Sequence, residues 1–141
     1  MNCSRSMVLT IALLWWPVIG HAQPNRDPQE RCGKQAEERF QRIGKPVSES
    51  DGYTISFDFE THYSLRLNKC FYLLTDKVFR TDSKSPDQGA KSMWLLDLND
   101  NTQYYGEYVH HSRLLLECQV REKQCGSEQE WRELIKPFME D

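Results

Sequence analysis

Cysteine placement restricts this chain more than any other feature of it. Cys32, Cys70, Cys118 and Cys125 all lie beyond residue 22, and the residues before them decide their chemistry. Arg5 leads into an apolar run over residues 7–19 in which Thr10 is the one polar side chain. Pro17 breaks that run near its end, and Gly20-His21-Ala22 places small residues where a signal peptidase reads. Residues 1–22 therefore read as a secretory signal peptide cut after Ala22. A membrane-spanning helix needs about 20 apolar residues; this run is shorter and holds a proline, so no membrane span is expected after cleavage. Cys3 leaves with the leader, and no cysteine directly follows the apolar run to accept a lipid.

Four cysteines in an exported chain of 119 residues read as two disulfides. Three pairings are open, and the spacing favours Cys32–Cys70 with Cys118–Cys125, because the second pair closes a loop of only six residues. On the chain-entropy relation the two loops would contribute about 4 and about 2.5 kcal/mol. A zinc site, the rival use of four cysteines, would usually show close C-x2-C pairs, and none is present.

Residues 23–141 have the size of a single domain. The leader removes only Arg5 from the 18 basic and 21 acidic residues, so the net charge moves from -3 to -4. With no basic block, nucleic acid is not expected as a partner.

Asp27-Pro28-Gln29-Glu30 forms a helix start, with Asp27 as cap and Pro28 at the first helical position. Cys32, Ala36, Phe40 and Ile43 then recur at helical spacing, and Gly44 with Pro46 ends the helix. Residues 45–52 read as a turn-rich loop. Tyr53, Ile55, Phe57 and Phe59 alternate with polar residues as in a half-buried strand. Residues 70–74, Cys-Phe-Tyr-Leu-Leu, are apolar without a break, which suits a central strand covered on both faces, with Val78 and Phe79 as an extension.

Residues 81–92 read as an exposed loop, 93–98 as a strand, 99–102 as a turn and 103–109 as the returning strand, with Gly106 a candidate bulge. Residues 114–120 make a short edge strand. Ser127 and Glu130 form a capping box before Trp131, Leu134, Ile135 and Phe138, which share one helical face. The expected fold is α+β: an antiparallel sheet of about four strands, with an N-terminal and a C-terminal helix packed on one face.

Chemistry is harder to find. His62, His110 and His111 are the histidines beyond the leader. The last two are adjacent and would point to opposite sides of an extended segment, so a metal site would need His62 with His110 or His111. The carboxylates Asp58, Glu60, Asp76, Asp97, Glu107 and Glu117 read as solvated faces, although Asp58 and Glu60 share a strand face as a glycosidase pair could. No G-x-S-x-G, H-E-x-x-H, C-x-x-C or glycine-rich phosphate loop is present. No catalytic, metal or cofactor residue is assigned. The remaining signal is aromatic: Trp94, Tyr104, Tyr105 and Tyr108 cluster on the hairpin, with alternation placing Tyr104 and Tyr108 on one face and Tyr105 on the other. Such residues suit both core packing and a binding surface.

The segment His62-Tyr63-Ser64-Leu65-Arg66-Leu67-Asn68-Lys69-Cys70-Phe71-Tyr72, the late cysteine pair and the tail Lys136-Pro137-Phe138-Met139-Glu140 resemble a group of small uncharacterised bacterial exported proteins. The resemblance implies a bacterial, periplasmic or secreted setting and carries no activity. The expectation is a non-enzymatic binding or inhibitor-type protein of the cell envelope, acting on an envelope or extracellular protein. The alternative is a small metal-dependent hydrolase or metal-binding protein using His62 with His110 or His111. A third option, a structural domain in a larger assembly, would show an exposed apolar patch.

Overall fold

A computed structural model describes residues 26–43, 45–82, 89–100 and 104–141, with only the backbone of Arg26. The signal peptide expected over residues 1–22, the tip of the 81–92 loop, Gly44, and residues 101–103 at the hairpin end lie outside the described residues. The chain runs α1 (Arg26–Ile43), β1 (Val47–Ser50), β2 (Tyr53–Ser64), β3 (Lys69–Arg80), β4 (Ala90–Asp97), β5 (Tyr104–His111), β6 (Leu114–Val120), β7 (Lys123–Gln124) and α2 (Glu128–Met139). The strands form one sheet in sequence order, each antiparallel to the next.

The fold class is therefore α+β as expected, but among the described residues the sheet has seven strands and not about four. The two additional short strands carry no apolar alternation. Val47–Ser50 is Val-Ser-Glu-Ser and pairs with β2 across a two-residue Asp51-Gly52 turn, where both residues hold positive φ as a type I′ turn requires. Lys123–Gln124 pairs only with Gln119 and Val120. β2 and β3 are also longer than their apolar patterns, because they continue to pair through polar residues such as Thr75, Asp76 and Lys77.

The expectation of two helices on one face is corrected. Side chains alternate along β3, and its two faces meet different helices. Phe71 and Leu73 join Met93, Leu95, Tyr105, Tyr108, Trp131 and Ile135 in a core beneath α2. Tyr72 lies on the other face with Ala36 of α1 and with Leu96. The physical reason is the unbroken apolar run itself: both faces of β3 need cover, and one helix cannot supply it. Phe71, Tyr105 and Phe138 pack edge to face at 5.1–5.5 Å between ring centroids. Under α1, Phe59 stands 4.7 Å from Phe40 and 5.5 Å from Tyr72.

Both favoured cysteine pairs are joined. Cys32–Cys70 ties α1 to β3 with Cα atoms 5.4 Å apart, and Cys118–Cys125 ties β6 to the segment leading into α2 with Cα atoms 5.1 Å apart. Ser127 caps α2 by accepting from the Glu130 N–H at 3.2 Å, while the Glu130 carboxylate accepts from the Gly126 N–H at 2.7 Å. Among the described residues one ion is fully buried: the Asp97 side chain has no exposed surface, and it accepts from the Lys69 ammonium and, at 2.9 Å, from the Asn99 N–H.

Two stability outcomes follow from these contacts. In urea denaturation, Lys69→Met leaves the Asp97 charge buried and uncompensated and should cost about 3 kcal/mol. Combining it with Asp97→Asn should recover part of that loss. Replacing Cys32 and Cys70 by serine should lower stability by about 4 kcal/mol, and replacing Cys118 and Cys125 by about 2.5 kcal/mol, since the first loop is longer. Equal losses would count against the loop-closure account.

Candidate functional site

The register between β4 and β5 decides where the hairpin aromatics go. Leu95 pairs with Gly106 but Leu96 pairs with Tyr104, leaving Tyr105 as an extra residue in a bulge. A Cβ on Gly106 would lie 3.1 Å from Val120 Cγ2 and 3.5 Å from Trp131 Cζ2, so the bulge sits where the Trp131 ring presses on the strand. The bulge breaks the alternation expected for Tyr104, Tyr105 and Tyr108. Tyr105 and Tyr108 both turn into the core beneath α2, each 5% exposed. Tyr104 turns to the opposite face and is 62% exposed. Trp94 shares that face, because Trp94 and Leu96 alternate with Leu95 and Tyr104 lies opposite Leu96.

Four aromatic candidates thus divide into two. Tyr105 and Tyr108 are core residues: Arg121 and Lys69 stand 4.4 and 5.3 Å from the Tyr105 ring, and Tyr108 packs toward Trp131 at 6.3 Å. Trp94 and Tyr104 line an open groove of about 410 Å³ with Arg39, Arg42, Ile43, Leu74 and Leu96. The groove forms because α1 covers β2 and β3 and leaves the α1 side of β4 and β5 only partly overlaid. Helical spacing puts Arg39, Arg42 and Ile43 on its margin. The Trp94 indole donates to Glu107 Oε1 at 3.0 Å, which fixes the ring across the strand pair. Arg39 also stands 6.0 Å from the ring centroid of Tyr72. Tyr72 packs with Leu74, Leu96 and Trp94, and its buried hydroxyl has no hydrogen-bond partner among the described residues. Burial pushes its phenol up to about 12.

The arginines and Ile43 escaped the sequence reading because they belong to the ordinary amphipathic pattern of α1. Only the crossing of α1 over the sheet brings them to Trp94 and Tyr104.

The histidines are not brought together. His62 lies opposite Phe71, whereas His110 lies opposite Lys91, which itself pairs with Lys77. Six residues of β3 separate those two levels, about 20 Å of extended chain. No metal with bonds of about 2 Å can join His62 to His110 or His111. His62 Nε2 instead lies 3.4 Å from Asp141 Oδ1, and the His110 ring stacks on Tyr108 at 6.4 Å. Among the described residues no group of three His, Cys, Asp or Glu side chains could hold a metal.

Three of the six carboxylates named from the sequence have structural employment. Glu107 holds Trp94, Asp97 holds Lys69, and Asp76 accepts from the Ser92 N–H at 3.1 Å, its pKa raised by burial. A second cleft, at the start of α2, is lined by Lys77, Lys91, His110 and Glu128 among others. There Glu128 accepts from Lys91 at 2.6 Å and from Arg132 at 2.9 Å. Burial opposes the Glu128 charge, but these two cations outweigh it and hold its carboxyl low.

Alkaline titration reads the core beneath α1. Between the ordinary phenol value of 10.0 and about 12, the unfolded chain has released a proton from residue 72 that the folded chain retains. Stability should therefore fall as pH rises through that window. Lys69, raised first by its hydrogen bond to Asp97 and then by Tyr105, acts with the same sign: its contribution is complete below 10.5 and is lost above it. Urea midpoints across this range should decline, and Tyr72→Phe should flatten the slope; an unchanged slope would remove Tyr72 from the account.

No helix among the described residues is long and apolar enough to cross a membrane. Searches of protein-family models, of curated proteins and of solved structures find no match to this chain.

Proposed function

We propose that this chain is an exported, non-enzymatic binding protein of inhibitor type, which seats an extended acidic segment of an envelope or extracellular protein in the Trp94–Tyr104 groove. The observation that carries the reading is the composition of that groove: an indole and an exposed phenol over an aliphatic floor of Leu74 and Leu96, with Arg39 and Arg42 on one margin. Trp, Tyr and Arg are the residues in which binding energy concentrates at protein interfaces. Arginine pairs with carboxylates through two parallel hydrogen bonds, so the margin favours an acidic partner. An open groove of about 410 Å³ has room for a few side chains of a passing chain.

Two disulfides suit an oxidising compartment. The periplasm or the external medium is the setting we assign, in line with the signal peptide read at residues 1–22 and with the resemblance to small bacterial exported proteins.

The test is a titration of the purified, oxidised chain with short peptides that place Asp or Glu beside Leu or Phe, followed through the Trp94 indole N–H resonance. Acidic peptides should shift that resonance, and lysine-for-acid versions should not. Arg42→Glu should weaken binding roughly tenfold or more, since like charges across an interface repel. If no acidic peptide moves the Trp94 signal, or if Arg42→Glu leaves affinity unchanged, the reading fails.

A further inference from the structure

The outer edge of β6 is open over its first half. On one side β6 pairs with β5; on the other, β7 reaches only Gln119 and Val120, and the Cys125 N–H donates to the Cys118 carbonyl at 2.9 Å. Among the described residues nothing pairs with the outer edge of residues 114–117. That stretch carries the most apolar exposed surface of the sheet: Leu114 is 66% exposed, Leu115 37% and Leu116 61%. Unpaired backbone and bare leucines at one edge are a template for another strand.

The sequence of the edge selects the strand. Arg113-Leu114-Leu115-Leu116-Glu117 is charge-complementary to itself when run antiparallel. A two-fold axis through Leu115 sets Arg113 of one copy against Glu117 of the other at both ends. It also sets Leu114 against Leu116, and Leu115 against its own copy. Shifting the register by one residue loses both charge pairs. Arg113 and Glu117 are exposed and make no ion pair among the described residues. The window is closed at each end: the chain turns at Ser112, with φ 58, and the Cys118–Cys125 disulfide begins after Glu117. Leu116 is the extra residue of a bulge within this window, and the polar β1 edge disfavours open-ended stacking.

We infer that the Arg113–Glu117 edge of β6 joins a second copy of this chain in an antiparallel, two-fold dimer that continues the sheet across both molecules. Symmetric pairing of the same patch is the isologous contact of a closed dimer. Because the axis stands perpendicular to the sheet, both Trp94–Tyr104 grooves lie on the same side of the pair. A five-residue edge is small for a specific interface, so the dimer belongs at the weak end.

Sedimentation velocity of the purified, oxidised chain at low salt, from roughly 1 to 500 μM, tests this directly, with amide hydrogen exchange read in parallel. The wild type should dimerise with a dissociation constant of about tens of micromolar, more weakly as salt rises. Residues 114–116 should gain exchange protection in step with dimer formation. Glu117→Arg sets arginine against arginine and should weaken association roughly tenfold or more; adding Arg113→Glu should restore it. Leu115→Lys, which places like charges on the axis, should leave a monomer. All three positions are exposed, and an unchanged thermal midpoint of the diluted monomer verifies that each variant folds. A monomer at every concentration overturns the inference, as does a dimer indifferent to Glu117→Arg. Protection of residues 114–116 in a monomer would also overturn it.

Discussion

Both faces of β3 must be kept from water, and the rest of the architecture answers to that requirement. Cys70 to Leu74 presents apolar side chains in alternation to two sides, and residues 70–73 are essentially unexposed. A strand of this kind is stable only with a layer above and a layer below. α1 supplies one through Ala36 and the Cys32–Cys70 bridge, and α2 supplies the other through Trp131, Ile135 and Phe138. Burying a large apolar side chain contributes about 1.5–3 kcal/mol, so leaving one face bare would remove much of the stability of a domain this size. The strands on either side of β3 then extend the sheet until its edges become polar or short.

A helix on each face makes the sheet sensitive to any shift in alternation, and the bulge at Tyr105 is such a shift. It turns Tyr105 toward α2, where Phe71 and Phe138 close around it, and leaves Tyr104 on the face that α1 only partly covers. One extra residue therefore separates a packing aromatic from an exposed one. Trp94 and Tyr104 become part of a groove because α1 ends beside them, bringing Arg39, Arg42 and Ile43 to its margin. The groove is a by-product of how far one helix reaches over a sheet that is wider than the helix.

Polar groups are handled in the same economical way. Asp97 is buried at the end of β4 and is compensated by Lys69 and the Asn99 N–H. Lys69 and Arg121 also approach the Tyr105 ring, so the charge pair and the aromatic cluster are one contiguous contact. Glu128 is answered by Lys91 and Arg132 where α2 begins. These pairings occupy charges that, listed from the sequence, could equally have been acids and bases of an active site.

Local signals carried much of this in the sequence. The helical stripes of α1 and α2, the Ser127–Glu130 cap and the alternation of residues 53–59 were legible because a few neighbouring residues determine each. Short β1 and β7 were not, since their residues have no apolar period, although Asp51-Gly52 is a strong hairpin turn. The apolar run at 70–74 already required cover on two faces, yet which helix went where depends on the path of the chain. The cysteine spacing favoured the observed disulfide partners among three pairings, because the short loop between Cys118 and Cys125 closes readily. Tertiary structure alone decided that Trp94 and Tyr104 meet Arg39 and Arg42, that Tyr105 and Tyr108 are core, and that His62 stands far from His110. Each of those facts depends on strand register and helix crossing, which are set by packing between residues distant in the chain and leave no local mark on the sequence.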